Sequence, residues 1–192
     1  MAAKKQAHAS QVYQLKITLV GSQPPIWRRF QVVSDMNLAK LHRVIQCVMG
    51  WEDAHMHQFK VGKIYYGITY PEDFDGMPET RDERKARLQE LMTRPKTKFV
   101  YEYDFGDSWE HEVVLEKILP PEPGAKYPVC VEGKRACPPE DCGGVWGYAD
   151  LLDTIEDPNH PEREDMLEWL GGAFDPEAFD MEAVNKALKR IK

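Results

Sequence analysis

No stretch of this 192-residue sequence approaches the roughly 20 consecutive apolar residues of a membrane span. Its first eleven residues are polar, carry Lys4 and Lys5, and hold no apolar run of signal-peptide length. The expectation is a cytoplasmic protein with no membrane partner. Cysteine is scarce, at four, and in that setting thiols or metal ligands are expected before disulfides. Basic charge is not in excess: the net charge is −7, which excludes a generally basic nucleic-acid coat. Internal repeats are missing, which argues against a solenoid. Asp104-Phe105-Gly106 invites comparison with a kinase, but the Gly-rich loop, strand lysine and catalytic-loop aspartate are lacking. Ser108 has no Gly-x-Ser-x-Gly elbow around it, so a serine nucleophile paired with His111 has no support. No helix-turn-helix or zinc-finger pattern is present.

What is present is an ordinary globular composition, 42% hydrophobic and 30% charged, with an uneven distribution of charge. Residues 1 to 60 carry a net +5, residues 61 to 100 a net +1, and residues 101 to 192 a net −13. Tyr13, Leu15, Ile17 and Leu19 alternate with polar residues, which predicts a half-buried strand over 12–20 and, after a turn, a hairpin partner over 26–33. Leu38, Leu41, Ile45 and Val48 recur at helical spacing between a cap at Asn37 and a stop at Gly50. Short strands are expected over 57–61 and 63–68, turns over 71–78, and a charged surface helix over 79–92 with Glu83 and Arg87 four apart and placed to pair. A second hairpin is expected from residues 98–104 and 109–119, then a proline-rich loop over 120–128. The C-terminal third reads as helical, with stripes at Leu151, Leu152 and Ile155, at Met166, Leu167 and Leu170, and at Val184, Leu188 and Ile191. Strands first and helices later predict one α+β domain over 12–192, with a mostly antiparallel or mixed sheet, behind a flexible segment over 1–11.

Four segments stand out: Pro24-Pro25-Ile26-Trp27-Arg28-Arg29, His55-Met56-His57-Gln58-Phe59, YEYDFGDSWEH from Tyr101 to His111, and ACPPEDCGG from Ala136 to Gly144. In this order and spacing the chain resembles the plasmid pRiA4b ORF-3-like protein family, from about Val12 to Ile191. Met56 stands where the family pattern more often has leucine, with little chemical consequence. The resemblance implies an α+β domain. Members are often labelled passenger proteins of insertion sequences, so it also implies an accessory role beside mobile DNA, and it implies no particular reaction.

Read from the residues, His55 and His57 are two apart, and on a strand both would face one side about 6.5–7 Å apart, close enough to meet on one metal ion. With Asp104, Asp107 and His111 they make a candidate site for Zn²⁺, Fe²⁺ or Mn²⁺, suited to metal-assisted hydrolysis or an oxygen-dependent reaction. The simpler reading makes Asp104 and Asp107 caps of a tight turn and the histidines hydrogen-bonding core residues. Cys130, Cys137 and Cys142 lie within thirteen residues, a candidate structural zinc site if His160 or another residue completes it, or ordinary thiols in a rigid loop. Pro138-Pro139-Glu140-Asp141 before Gly143-Gly144 reads as a rigid loop whose carboxylates accept backbone hydrogen bonds and whose glycines permit close approach. Trp27, Arg28 and Arg29 form a candidate nucleic-acid contact, extended by Lys4, Lys5, Lys16 and Arg43. Adjacent arginines on a strand point to opposite faces, and one is expected to pair with a carboxylate of the acidic half. That half, in turn, could dock a basic protein partner.

Overall fold

A computed structural model describes residues 11–69 and 80–191. Apart from Gln11, the expected flexible segment lies outside the described residues, as do Lys4, Lys5 and the turns expected over 71–78. The strands are β1 (Val12–Leu19), β2 (Trp27–Val33), β3 (His57–Val61), β4 (Ile64–Gly67), β5 (Thr80–Asp82), β6 (Lys98–Tyr103), β7 (Trp109–Leu119) and β8 (Val129–Lys134). The helices are α1 (Leu38–Met49), α2 (Leu88–Leu91), α3 (Gly144–Glu156), α4 (Arg163–Trp169) and α5 (Met181–Leu188). All eight strands join one sheet in the order β5-β4-β3-β6-β7-β1-β2-β8, antiparallel throughout except for β4 with β5. The fold is α+β with its helices mostly C-terminal. No helix among the described residues is long and apolar enough to cross a membrane.

Both expected hairpins form, and β1 pairs with β7 so that they fuse into one surface. Period-two alternation sends Phe99, Tyr101 and Tyr103 of β6 and Trp109, His111, Val113 and Leu115 of β7 inward. Leu38, Leu41, Val44, Ile45 and Val48 of α1 are fully buried in the same core, each worth about 1.5–3 kcal/mol of burial. The Asn37 side chain accepts a hydrogen bond from Lys40 N at 2.9 Å, and Gly50 closes the helix at φ +111°. α5 opens at Asp180, whose carboxylate accepts from Ala183 N, and packs on α1 and β8.

Two local expectations are corrected. The helix over 79–92 is a short strand, a turn and the four-residue α2. Glu83 points into the core and pairs with His57, so it is not available to Arg87. Within the helical C-terminal third lies an additional strand, β8, on the edge of the sheet beside β2. Its Gly133 is required by close packing: a Cβ there would stand 2.7 Å from Arg28 Cδ and 2.6 Å from the Phe179 ring.

Candidate metal centre

The connection from α1 to β3 carries Asp53 and His55, and the turn between β6 and β7 carries Asp104 and Asp107. These segments meet because β3 pairs with β6, with His57 opposite Tyr103. Asp104 N donates to Met56 O, and Tyr103 Oη accepts from Ala54 N at 2.9 Å and His55 N at 3.3 Å. The same hydroxyl donates to Glu140 Oε1 at 3.0 Å, so one buried phenol holds the His55 backbone and a carboxylate of the 136–144 loop. Burial raises its pKa and keeps it a donor.

The loop is seated by its glycines. Gly143 N donates to Asp107 Oδ2 at 3.1 Å, and a Cβ on Gly144 would stand 2.5 Å from the Asp107 carbonyl oxygen. This contact sets Glu140 and Asp141 over His55. His55 Nε2 lies 3.1 Å from Asp141 Oδ1 and 3.7 Å from Glu140 Oε2, and Nδ1 lies 3.8 Å from Asp104 Oδ2. Among the described residues, His55, Asp104 and Asp141 are the one group of three or more metal-ligating side chains whose ligand atoms lie within 4.8 Å of one another. His55 Nε2 and Glu140 Oε2 are both buried and accept or donate no hydrogen bond. Buried polar atoms are nearly always satisfied, and among the described residues Trp109 Nε1, His111 Nδ1, Arg135 Nε and Tyr148 Oη share this condition, but only His55 Nε2 and Glu140 Oε2 lie beside the donor group. Asp104 and Asp141 also take left-handed φ values of +56° and +57°, uncommon for side chains larger than glycine.

The five side chains expected to meet on one ion do not. His57 is buried in a different cluster, its Nε2 2.9 Å from Glu83 Oε2 and its ring stacked on His42 at a centroid distance of 3.4 Å and an angle of 4°. His42 belongs to a closed ring of hydrogen bonds: Gln46 Nε2 donates to Tyr101 Oη, Tyr101 Oη donates to His42 Nδ1, His42 Nε2 donates to Asp53 Oδ1, and Asp53 N donates to Gln46 Oε1. Burial, and then neighbouring His57, lowers the His42 pKa, in keeping with a neutral ring. His111 is wholly enclosed, accepts from Trp51 Nε1 at 3.3 Å, and is pushed down to about 4 by burial. Asp107 fastens the loop and offers its carboxylate to Gly143.

The cysteines also stay apart from any donor group of three among the described residues. Cys130 Sγ donates to Arg29 O and Glu132 O. Burial pushes the Cys137 thiol well above its ordinary value and the Cys142 thiol to about 12, so neither tends toward a thiolate. His160 Nδ1 accepts from Glu162 N.

Arg28 turns inward at 1% exposure, donating to Val48 O, Trp27 O and Lys134 O and lying 4.1 Å over the Phe179 ring. Arg29 points outward and pairs with Glu116 and Glu132, both from the acidic half. Trp27 is flanked by Lys16 Nζ at 4.7 Å and Arg29 at 5.2 Å. The candidate nucleic-acid triad is thus divided between the two faces of the sheet. Sequence reasoning assigns Glu140 and Asp141 to loop structure, gives Glu83 to a surface pair with Arg87, and passes over Tyr103. The prolines and paired glycines around Glu140 and Asp141 were the available signal, since a rigid loop holds two carboxylates in fixed positions.

Comparison with known proteins agrees with this architecture. A protein of unknown function from Methanosarcina mazei Go1, MM3350, is 42% identical and superimposes with a TM-score of 0.81, covering 91% of this chain and 98% of that one. The uncharacterized protein y4hQ of Sinorhizobium fredii (strain NBRC 101917 / NGR234) is 35% identical over 178 residues, 92% of this chain and 90% of its own. The model of the plasmid pRiA4b ORF-3-like proteins matches residues 11–183, and the chain belongs to that family.

Proposed function

We propose that the protein is an accessory domain that binds a divalent first-row metal, Zn²⁺, Mn²⁺ or Fe²⁺, through His55, Asp104 and Asp141, with Glu140 alongside. The observation that supports it is that donor group itself, with His55 Nε2 and the adjacent Glu140 Oε2 both buried and without a hydrogen bond. Donors about 2.0–2.2 Å from an ion stand roughly 3–4 Å from each other, and His55 Nε2 stands 3.1 Å from Asp141 Oδ1 and 3.7 Å from Glu140 Oε2, with one ligand atom each of His55, Asp104 and Asp141 mutually within 4.8 Å. One imidazole with carboxylates suits these metals better than a soft thiolate-seeking ion. Three protein donors leave positions open for water, as catalytic metal sites do and closed structural sites do not. The reaction class that fits is metal-assisted hydrolysis, with a metal-bound water as nucleophile. Family resemblance alone attaches this role to mobile elements. Nucleic acid is the less suited ligand, because Arg28 is enclosed and Arg29 is neutralised by two carboxylates.

The test is elemental analysis of untagged protein, as purified and after reconstitution with each metal. The expected result is about one ion per chain, lost in His55→Ala and retained in Cys142→Ser. Protein that stays metal-free after reconstitution would overturn the reading.

A further inference from the structure

From residue 137 to residue 182 the sequence holds fourteen carboxylates and a single arginine. That arginine, Arg163, directs its Nε to the carbonyl of Ile155. The acidic stretch contains two exposed tryptophans, Trp146 at 85% and Trp169 at 52% exposure, although large aromatics usually bury their surface. Trp169 forms the shared wall of two grooves. One, of about 450 Å³, runs past Glu52, Glu140, Pro138 and Phe174. The other, of about 240 Å³, runs past Asp141, Leu151 and Met166. Neither groove has a cationic side chain in its lining.

We propose that the Trp169 grooves dock a lysine- and arginine-rich segment of a partner protein. The chemistry is complementary at each point. The indole face attracts a guanidinium or ammonium group, and Pro138, Phe174, Leu151 and Met166 accept the aliphatic stems of long basic side chains. Glu52 at one end and the surrounding carboxylates of α3 and α4 supply the field that steers such a segment in. Exposed tryptophan in a groove is the residue type that most often carries binding energy at an interface. An acidic ligand would meet the same field as repulsion, which sets the direction of selectivity. Glu140 and Asp141 belong to both features, but the docking does not rest on metal binding, because Trp169 and Glu52 are outside the donor group.

The experiment titrates a fluorescein-labelled nona-arginine peptide, with nona-glutamate as control, into the full chain in chelator-containing buffer at 0.05 and 0.15 M salt. Saturable binding of nona-arginine is expected, weakening with salt, and none of nona-glutamate. Trp169→Ala should weaken it about ten-fold, Trp169→Phe by less, and Glu52→Lys measurably, each with an unchanged circular dichroism melt. The chelator keeps any metal out of the titration, so failure of one reading is separable from failure of the other. Absence of nona-arginine binding at low salt overturns the proposal. So does binding that Trp169→Ala and Glu52→Lys both leave unchanged, since that is general attraction to an acidic protein. Concentration-dependent dimerisation of the protein alone, reversed by Trp169→Ala, assigns the grooves to a second copy and also overturns it.

Discussion

Two histidines two residues apart sit in opposite circumstances. His57 is buried with a carboxylate, and the histidine stacked on it is locked in a closed hydrogen-bonded ring. His55 faces three carboxylates, within ion-pair distance of Asp141, with a buried nitrogen that makes no hydrogen bond to any of them. A satisfied polar cluster rigidifies a core, whereas an unsatisfied one stores a binding capacity at the expense of stability. His57 is thus the structural half of the His-x-His motif and His55 the half proposed to bind metal, a distinction invisible in a motif that treats the two alike.

The comparison breaks first at His57. His57→Ala leaves the buried Glu83 carboxylate without its hydrogen-bond partner, so the fold should lose about 3 kcal/mol or more in denaturant unfolding, while folded protein keeps its metal stoichiometry. Retained stability would show that the inner cluster is not structural.

His111 sharpens the same contrast through pH. In the unfolded chain its imidazole takes up a proton near 6.5, but burial delays uptake in the fold to about 4. Between those values the unfolded state binds more protons, so stability falls as pH falls, by on the order of 3 kcal/mol over the window. His111→Gln should flatten that slope, measured by chemical denaturation from pH 7 to pH 4.

His55→Ala should do the reverse of His57→Ala. Metal affinity is expected to drop at least ~100-fold, while metal-free stability changes by less than about 1 kcal/mol, because no hydrogen bond of the imidazole is lost. Calorimetric titration against thermal melts of chelated protein checks both halves. The smallest effect is expected for Tyr103→Phe, which frees Ala54 N and leaves Glu140 Oε1 with only its bond from Glu52 N, and should weaken metal binding about ten-fold while leaving every donor in place. Equal affinity in this variant would show that the phenol is only packing.

Much of the fold is written in the sequence at short range. Alternation in β1, β6 and β7 and the cap and stop of α1 are local patterns, and the sheet follows them. The failures are tertiary. Residues 79–92 read as a solvated helix because charged residues dominate, and the contact that decides otherwise, Glu83 with His57, spans 26 positions. β8 has only Cys130 fully buried and follows a proline-rich loop, so its alternation was too short to register. The candidate site was half legible. His55 and Asp104 were named in the sequence reading, but Glu140 and Asp141 reach them only because Asp107 receives the 136–144 loop at Gly143 and Gly144. Arg28 reads as exposed by residue type, yet four backbone carbonyls, including Val48 and Lys134, draw it inward.

The contact of Gly144 with the Asp107 carbonyl makes the loop a latch with no room for even one methyl group. A side chain there would lift Glu140 and Asp141 away from His55 in a single displacement, without touching any of the three. Because those groups come from chain positions up to 86 apart, an ion held among them would clamp the C-terminal third to the sheet. On the proposed reading, metal occupancy would report whether the 136–144 loop is seated on the turn between β6 and β7.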